Sequence, residues 1–296
     1  MPRKSVCPEN VSINTVITHK GTVGDYLVVG DLHGRVQELA RIDLYAQQNG
    51  IEHIFQVGDF GIYWPGSQCP IAKYFDKRQF KAKRKGISVP TWHVIPGNHD
   101  VWPRLFPTDP TTGFESKIHN PYLGLYFYNR NVEIEIELFR CKVKCLTFGG
   151  AISSDGHHRI EDKTWWRKEA PSREEYDILY AQLFTNDYDL IFSHDSPILM
   201  DRIKTLNSLH FPNRWSDEVN RELNEIRRDI VKEKVMKSTW YHGHHHLVYS
   251  SVENGPLVIG CGLNGDFVRA SFVNTNIEAF NVYRQRIEKR KGLNVS

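Results

Sequence analysis

Residues 26–35 read YLVVGDLHGR. An apolar, β-prone run ends at Gly30, and Asp31 and His33 follow it two positions apart. Such a run closed by turn residues predicts a strand with a polar loop at its carboxyl end. HIFQVGDF (53–60) and TWHVIPGNHDV (91–101) repeat the form. DLIFSHDSP (189–197) and STWYHGHHH (238–246) repeat it again. Five strand ends therefore present Asp, Asn and His toward one rim. Oxygen and imidazole donors meeting this way are what a pair of divalent cations needs.

Outward from these strings, strands are expected over 26–30, 53–57, 91–95, 132–139, 143–149, 189–193, 239–242, 256–260 and 267–282. The last is expected to break around Asn274–Asn276. EIEIEL (133–138) alternates charged and aliphatic residues, the pattern of a half-buried strand. The short FRC that follows it predicts a hairpin with KVKCLTF. Helices are expected over 35–49, 71–85, 172–185 and 216–236. Ser172 with Glu175 three residues on predicts a capping box, and Ser216 or Asp217 is the expected cap of the last helix.

In order and content, the five blocks resemble the calcineurin-like metallophosphoesterases. No single block is specific; the ordered set, spread from residue 30 to 246, carries the resemblance. It implies an α/β fold, a four-layer αββα sandwich of two mixed sheets flanked by helices. It also implies two divalent metal ions, one held by Asp31, His33, Asp59 and His246, the other by Asp59, Asn98, His194 and His244. Asp59 is the bridging carboxylate in this assignment. His242 and His245 match no ligand position. His99 resembles the proton donor of the family and Asp100 its orienting carboxylate, since a carboxylate fixes the tautomer of an imidazole. The implied reaction is hydrolysis of a phosphomonoester or phosphodiester, with Mn, Fe, Zn, Ni or Mg as the metals and Mn foremost.

Taken alone, each string has a plainer reading. Asp-x-His describes a capping Asp and a surface His, PGNHD describes a turn, and HGHHH describes a surface cluster. Their shared place at strand ends is what these readings leave unexplained. The second block departs from the Ser/Thr protein phosphatases, which read GDxVDRG there; this chain reads GDFGIYWPG. The ligand positions survive that departure, and the substrate is left open. A non-catalytic scaffold is disfavoured, because all seven ligand positions and His99 are filled.

Substrate contacts are expected from the rim loops. Trp64 and Tyr63 follow the Asp59 loop, where an aromatic ring can stack a base. His157, His158 and Arg159 lie in a long polar loop after strand 143–149, and Arg suits two-point phosphate contacts. A nucleotide, cyclic nucleotide or nucleic-acid end fits these features. KRQFKAKRK (77–85) and RQRIEKRK (284–291) are basic runs that a nuclease would use, or simply solvated faces.

Composition sets the outer bounds. The 296 residues, 40% hydrophobic and 12% aromatic, give ample core for one domain spanning 1–296, with no Gly, Pro or Ser linker. A net charge of +3 does not by itself mark a nucleic-acid binder. No run approaches the ~18 apolar residues of a membrane span, and MPRKSVCPENVSI lacks the apolar centre of a secretory signal. Cys7, Cys69, Cys141, Cys145 and Cys261 show no framework spacing and are expected as reduced thiols of a cytoplasmic protein.

Overall fold

Along the strand Asp25–Val29 (β2), Tyr26 and Val28 face one core while Leu27 and Val29 face another, and all four are buried. A strand covered on both faces reads as a continuous apolar run, which is why YLVV does not alternate with polar residues. In this computed structural model of the chain, the described residues are 16–21, 24–64, 69–138, 141–199, 202, 218–252, 255–264, 266–272 and 281–283.

β2 lies in a seven-stranded sheet. The sheet's other strands are His53–Gln56 (β3), Thr91–Val94 (β4), Leu125–Tyr128 (β6), Ile118–Tyr122 (β5), Phe267–Ser271 (β13) and Asn281–Tyr283 (β14). The order is β14-β13-β2-β3-β4-β6-β5, with β2, β3, β4 and β6 parallel. The second sheet also has seven strands. These are Val16–Lys20 (β1), Val132–Glu137 (β7), Lys142–Phe148 (β8), Leu190–Ser193 (β9), Thr239–His242 (β10), Tyr249–Val252 (β11) and Leu257–Gly260 (β12). Its order is β1-β7-β8-β9-β10-β12-β11, with β8, β9, β10 and β12 parallel. The expected hairpin is present: β7 and β8 pair antiparallel from Val132↔Thr147 to Glu137↔Lys142.

Tyr26, Val28, Phe55, Ile134, Phe192 and Tyr241 form the layer between the sheets. Val36–Gln48 (α1) and Pro70–Lys85 (α2) cover the outer face of the first sheet through Leu39, Ile42, Ile71 and Phe75. Arg173–Thr185 (α4) and Glu218–Glu233 (α5) cover the second through Leu179, Leu183, Leu223 and Ile226. The result is the four-layer αββα sandwich with two mixed sheets. Trp102–Leu105 (α3) is a single turn after the PGNHD string.

The capping box at the start of α4 is present: Ser172 Oγ accepts from Glu175 N, and Glu175 Oε2 accepts from Ser172 N at 2.7 Å. The expected cap of α5 and the break at 274–276 lie outside the described residues, as do Cys7 and the basic run 284–291. The four described cysteines form no disulfide. No helix among the described residues is long and apolar enough to cross a membrane.

Candidate metal centre

β2, β3 and β4 in one sheet, and β9 and β10 in the other, end at a common rim. Each strand leaves the rim by a sharp turn. His33, Asp59, His244 and His246 all have positive φ, at 46°, 55°, 61° and 57°. They are half of the eight non-glycine residues with positive φ among those described. That conformation costs ~1–2 kcal/mol per residue and persists only where the surroundings fix it. Here the loops are tied to one another. His33 N donates to Asp59 O at 2.7 Å, Gly243 N to His194 O at 3.0 Å, and Asn264 N to Asp31 O at 2.9 Å. Gly97 is needed for the approach: a Cβ there would fall 2.2 Å from Asp59 Oδ1 and 2.7 Å from His194 Nε2.

The seven expected ligand residues come together. Asp31 is fully buried; its Oδ1 accepts from His244 N at 3.1 Å, and its Oδ2 lies 3.1 Å from His246 Nε2 and 3.8 Å from His33 Nε2. That Oδ2 makes no hydrogen bond of good geometry. Asp59 sits between two donor sets: Oδ2 is 3.8 Å from His33 Nε2 and Oδ1 is 3.7 Å from His194 Nε2. His194 Nδ1 donates to Val57 O at 2.8 Å, so its Nε2 carries the lone pair. That lone pair points at Asn98 Oδ1, 2.9 Å away. His244 lies beside His194, ring centroids 5.0 Å apart.

Electrostatics give the same picture. Burial pushes Asp59 well above the usual carboxylate range, and the charges of Asp31 and Asp100 add to it. Burial also works against ionising Asp31, but the His246 contact and the neighbouring imidazoles of His194 and His33 outweigh it and hold the group at about 2. Burial lowers His194 to about 3, so its imidazole is neutral. Three carboxylates and several neutral imidazoles crowd one buried spot. Acceptors face acceptors, as with His194 Nε2 and Asn98 Oδ1. Divalent cations between them would relieve that arrangement, so the residues fit a divalent metal centre. Asp31–His33–His246 and Asp31–Asp59–His194 each bring one donor atom apiece within 4.8 Å of one another.

The other expected residues are placed less uniformly. His99 lies at the rim, its Nε2 3.9 Å from Asp59 Oδ2. The Arg159 guanidinium bonds its Nδ1, and Asp155 holds that guanidinium at 2.7 Å and 2.9 Å. The same Nη2 lies 3.3 Å from His99 Nε2, farther than from Nδ1; an arginine only donates, so the nearer Nδ1 accepts and the ring's one proton sits on Nε2. Burial and then the Arg159 charge lower His99 to about 3. Asp100 does something other than orient this ring. Its buried carboxylate accepts from Gly61 N at 2.8 Å, Gly97 N at 2.9 Å and Phe60 N at 3.1 Å. It closes the Asp59 and Asn98 loops on each other, because buried backbone N–H groups need acceptors and no strand supplies them there.

Trp64 stands over the rim, its ring 5.8 Å from His33 and 6.2 Å from His99. His158 is exposed in the short 3-10 turn Gly156–His158, where its ring packs on His157 with centroids 3.9 Å apart. His242 and His245 serve the surroundings. His242 Nε2 meets Tyr249 Oη at 2.5 Å, and His245 Nε2 meets Asp195 Oδ1 at 2.8 Å. Three residues near the ligands carried no signal of their own in the sequence: Ser153, Asp155 and Glu169. Asn98 Nδ2 donates to Ser153 Oγ at 3.0 Å, and Ser153 Oγ donates to Glu169 Oε2 at 2.9 Å. Ser153 and Asp155 were readable only as part of a polar loop.

The family model for calcineurin-like phosphoesterases matches residues 25–248. No curated protein sequence matches the chain. Among solved structures, one aligns with 88% of this chain and all of its own at 11% identity and a TM-score of 0.52. GAP50, the anchor in the inner membrane complex of Plasmodium, aligns over 88% of this chain and 89% of its own, with 12% identity and a TM-score of 0.50. TT1561 of Thermus thermophilus covers 88% of this chain and 100% of its own, with 13% identity and a TM-score of 0.48.

Proposed function

The chain belongs to the calcineurin-like phosphoesterase family, hydrolases of phosphoric ester bonds, and we propose that it works through two divalent cations centred on Asp59. The observation that carries this is the place of the Asp59 carboxylate, one oxygen toward His33 and the other toward His194. Asp31, His33 and His246 would complete one cation site; Asn98, His194 and His244 would complete the other. Divalent cations bound there supply Lewis-acid charge to the phosphoryl oxygens and make water acidic enough to act as nucleophile near neutral pH. Manganese is the first candidate, since imidazole, carboxylate and amide donors suit it; Fe, Zn, Ni and Mg remain chemically compatible.

The protein's own groups divide the remaining work. Arg159, held by Asp155, stands ready to meet phosphate oxygens. His99 directs its Nε2–H toward the Asp59 side and can donate a hydrogen bond where charge develops on the phosphoryl or departing oxygen. Asp100 keeps the two ligand loops in register. Trp64 offers a face on which a base can stack, which supports a nucleotide or another planar ester as substrate. His158, exposed beside His157, would reach only a larger substrate.

A nuclease reading gains little from the basic helix. α2 leads from the end of β3 that bears the site to the start of β4, so its Lys81–Lys85 end lies at the opposite edge of the sheet. Cytoplasmic residence is part of the proposal and rests on five cysteines whose spacing forms no disulfide framework. The test is a panel of p-nitrophenyl phosphate, bis-p-nitrophenyl phosphate, cyclic nucleotides and short oligonucleotides with added Mn²⁺. Activity on at least one ester is expected, abolished by Asp59→Asn and weakened through KM by Arg159→Ala without loss of metal. No turnover on any ester with metal bound contradicts the proposal.

A further inference from the structure

The two ends of an asparagine amide have nearly the same shape, so only its neighbours decide which end faces a given direction. Asn98 is buried, with Oδ1 toward His194 and Nδ2 toward Ser153. The Ser153 hydroxyl has a single proton. Glu169 Oε2 accepts that proton at 2.9 Å, while Glu169 Oε1 accepts from Ser153 N at 2.7 Å. A carboxylate can only accept, so the hydroxyl oxygen must in turn accept from Asn98. The NH₂ end is thereby drawn outward and the oxygen is left facing His194.

We propose that Glu169 is a positioning residue: acting through Ser153, it sets the Asn98 oxygen toward the cation site shared with His194. The inference rests on the reading of Asn98 as a metal ligand. Glu169 is itself held firmly. It is 1% exposed, and Arg130 Nη2 donates to its carbonyl at 2.9 Å. The same buried guanidinium reaches Gly149 O at 2.9 Å and both Glu175 oxygens at 3.1 Å. The turn bearing Glu169 is thus fastened to the end of β8 and to the cap of α4. Groups that orient a ligand typically contribute ~10–100-fold to metal affinity.

The chain of donors makes a conditional expectation. Glu169→Gln keeps the shape but points an NH₂ at Ser153 Oγ. The serine proton then turns to Asn98, whose oxygen must accept it, and the NH₂ end swings toward the cation site. A carboxylate in place of the Asn98 amide accepts at both ends, so the same change does no harm there. The experiment is calorimetric Mn²⁺ titration of the metal-free full chain, with apo-protein melting as a second readout. Wild type is expected to bind two equivalents. E169Q is expected to weaken one of them ~10–100-fold and leave the other unchanged. S153A should weaken the same equivalent by less. In the N98D background, E169Q should cost nothing.

The inference is overturned if E169Q binds both equivalents as wild type does, or if its loss is the same in the N98D background. If E169Q does not fold, S153A decides: a loss confined to one equivalent supports the inference, and unchanged affinities overturn it. Wild type binding fewer than two equivalents defeats the reading of the metal centre itself, a result distinct from a wild type with two sites and an indifferent Glu169.

Discussion

Arg159 and His99 set the chemistry at the scale of single residues. Because the guanidinium donates to Nδ1, the imidazole is neutral and keeps its proton on Nε2. A neutral ring is a poor acid but a good hydrogen-bond donor. His99→Ala is therefore expected to lose ~10²–10³-fold in kcat with metals retained, and to lose it about equally on an alkyl phosphate and on p-nitrophenyl phosphate. Kinetics on the two esters decide it: a loss concentrated on the alkyl ester, whose alkoxide needs a proton, would show that His99 delivers one. The family resemblance implies proton donation by His99 and its orientation by Asp100; the hydrogen bonds instead put Arg159 on the ring and Asp100 on three backbone N–H groups. The seven residues proposed as ligands were legible, because they sit in five strings, each beside a strand end. Asp155, Ser153 and Glu169 were not, because what they do depends on folding partners that are distant along the chain or carry no local pattern.

At the scale of elements, α4 begins at a cap that also serves the interior. Glu175 accepts from Ser172 N and from the buried Arg130 that fastens the Glu169 turn. Ser172→Ala removes only the serine's own share and is expected to cost ~1 kcal/mol, in line with other caps. Glu175→Ala also takes the partly exposed carboxylate from the buried Arg130 guanidinium, which keeps its bonds to Gly149 O and Glu169 O, and should cost ~1–3 kcal/mol more. Urea midpoints of the two variants check this; equal losses would contradict it. The capping box, the β7–β8 hairpin and the long helices were legible because their signals are local and periodic. β1, β5, β11 and α3 were not. β1 and β11 are short edge strands, half exposed. β5 carries Asn120 and Pro121, residues that read as breakers but are tolerated at a sheet edge. LYFY (125–128), which forms β6, was not among the expected strands although its composition is β-prone.

At the scale of the whole molecule, the sheets share one interlayer core, and histidines occupy both its ends. Away from the metal centre, His19 Nε2 meets Tyr128 Oη at 2.8 Å, His93 Nδ1 meets it at 2.9 Å, and His53 Nδ1 lies 3.0 Å from His93 Nε2. Burial lowers His19 and His53 to about 4 and His93 further still. These folded values lie below the unfolded 6.5, so between them the unfolded chain binds more protons. Stability is therefore whole above about pH 6.5 and is lost as pH falls toward 4, by up to ~1.4 kcal/mol per pH unit for each such histidine. His99 and His194, also lowered by burial, add in the same direction. Urea unfolding of metal-free protein from pH 7 to 4 is expected to show this slope, and His53→Gln to flatten it; parallel curves would contradict the account. We propose that the chain is one cooperative domain, so fluorescence and circular dichroism should trace a single transition. The central claim remains the pair of cations about Asp59. Anomalous diffraction from crystals grown with Mn²⁺ tests it most directly. Two peaks are expected, one among Asp31, His33 and His246 and one among Asn98, His194 and His244, each in contact with Asp59. A single peak, or a second one that Asp59 does not touch, would contradict it.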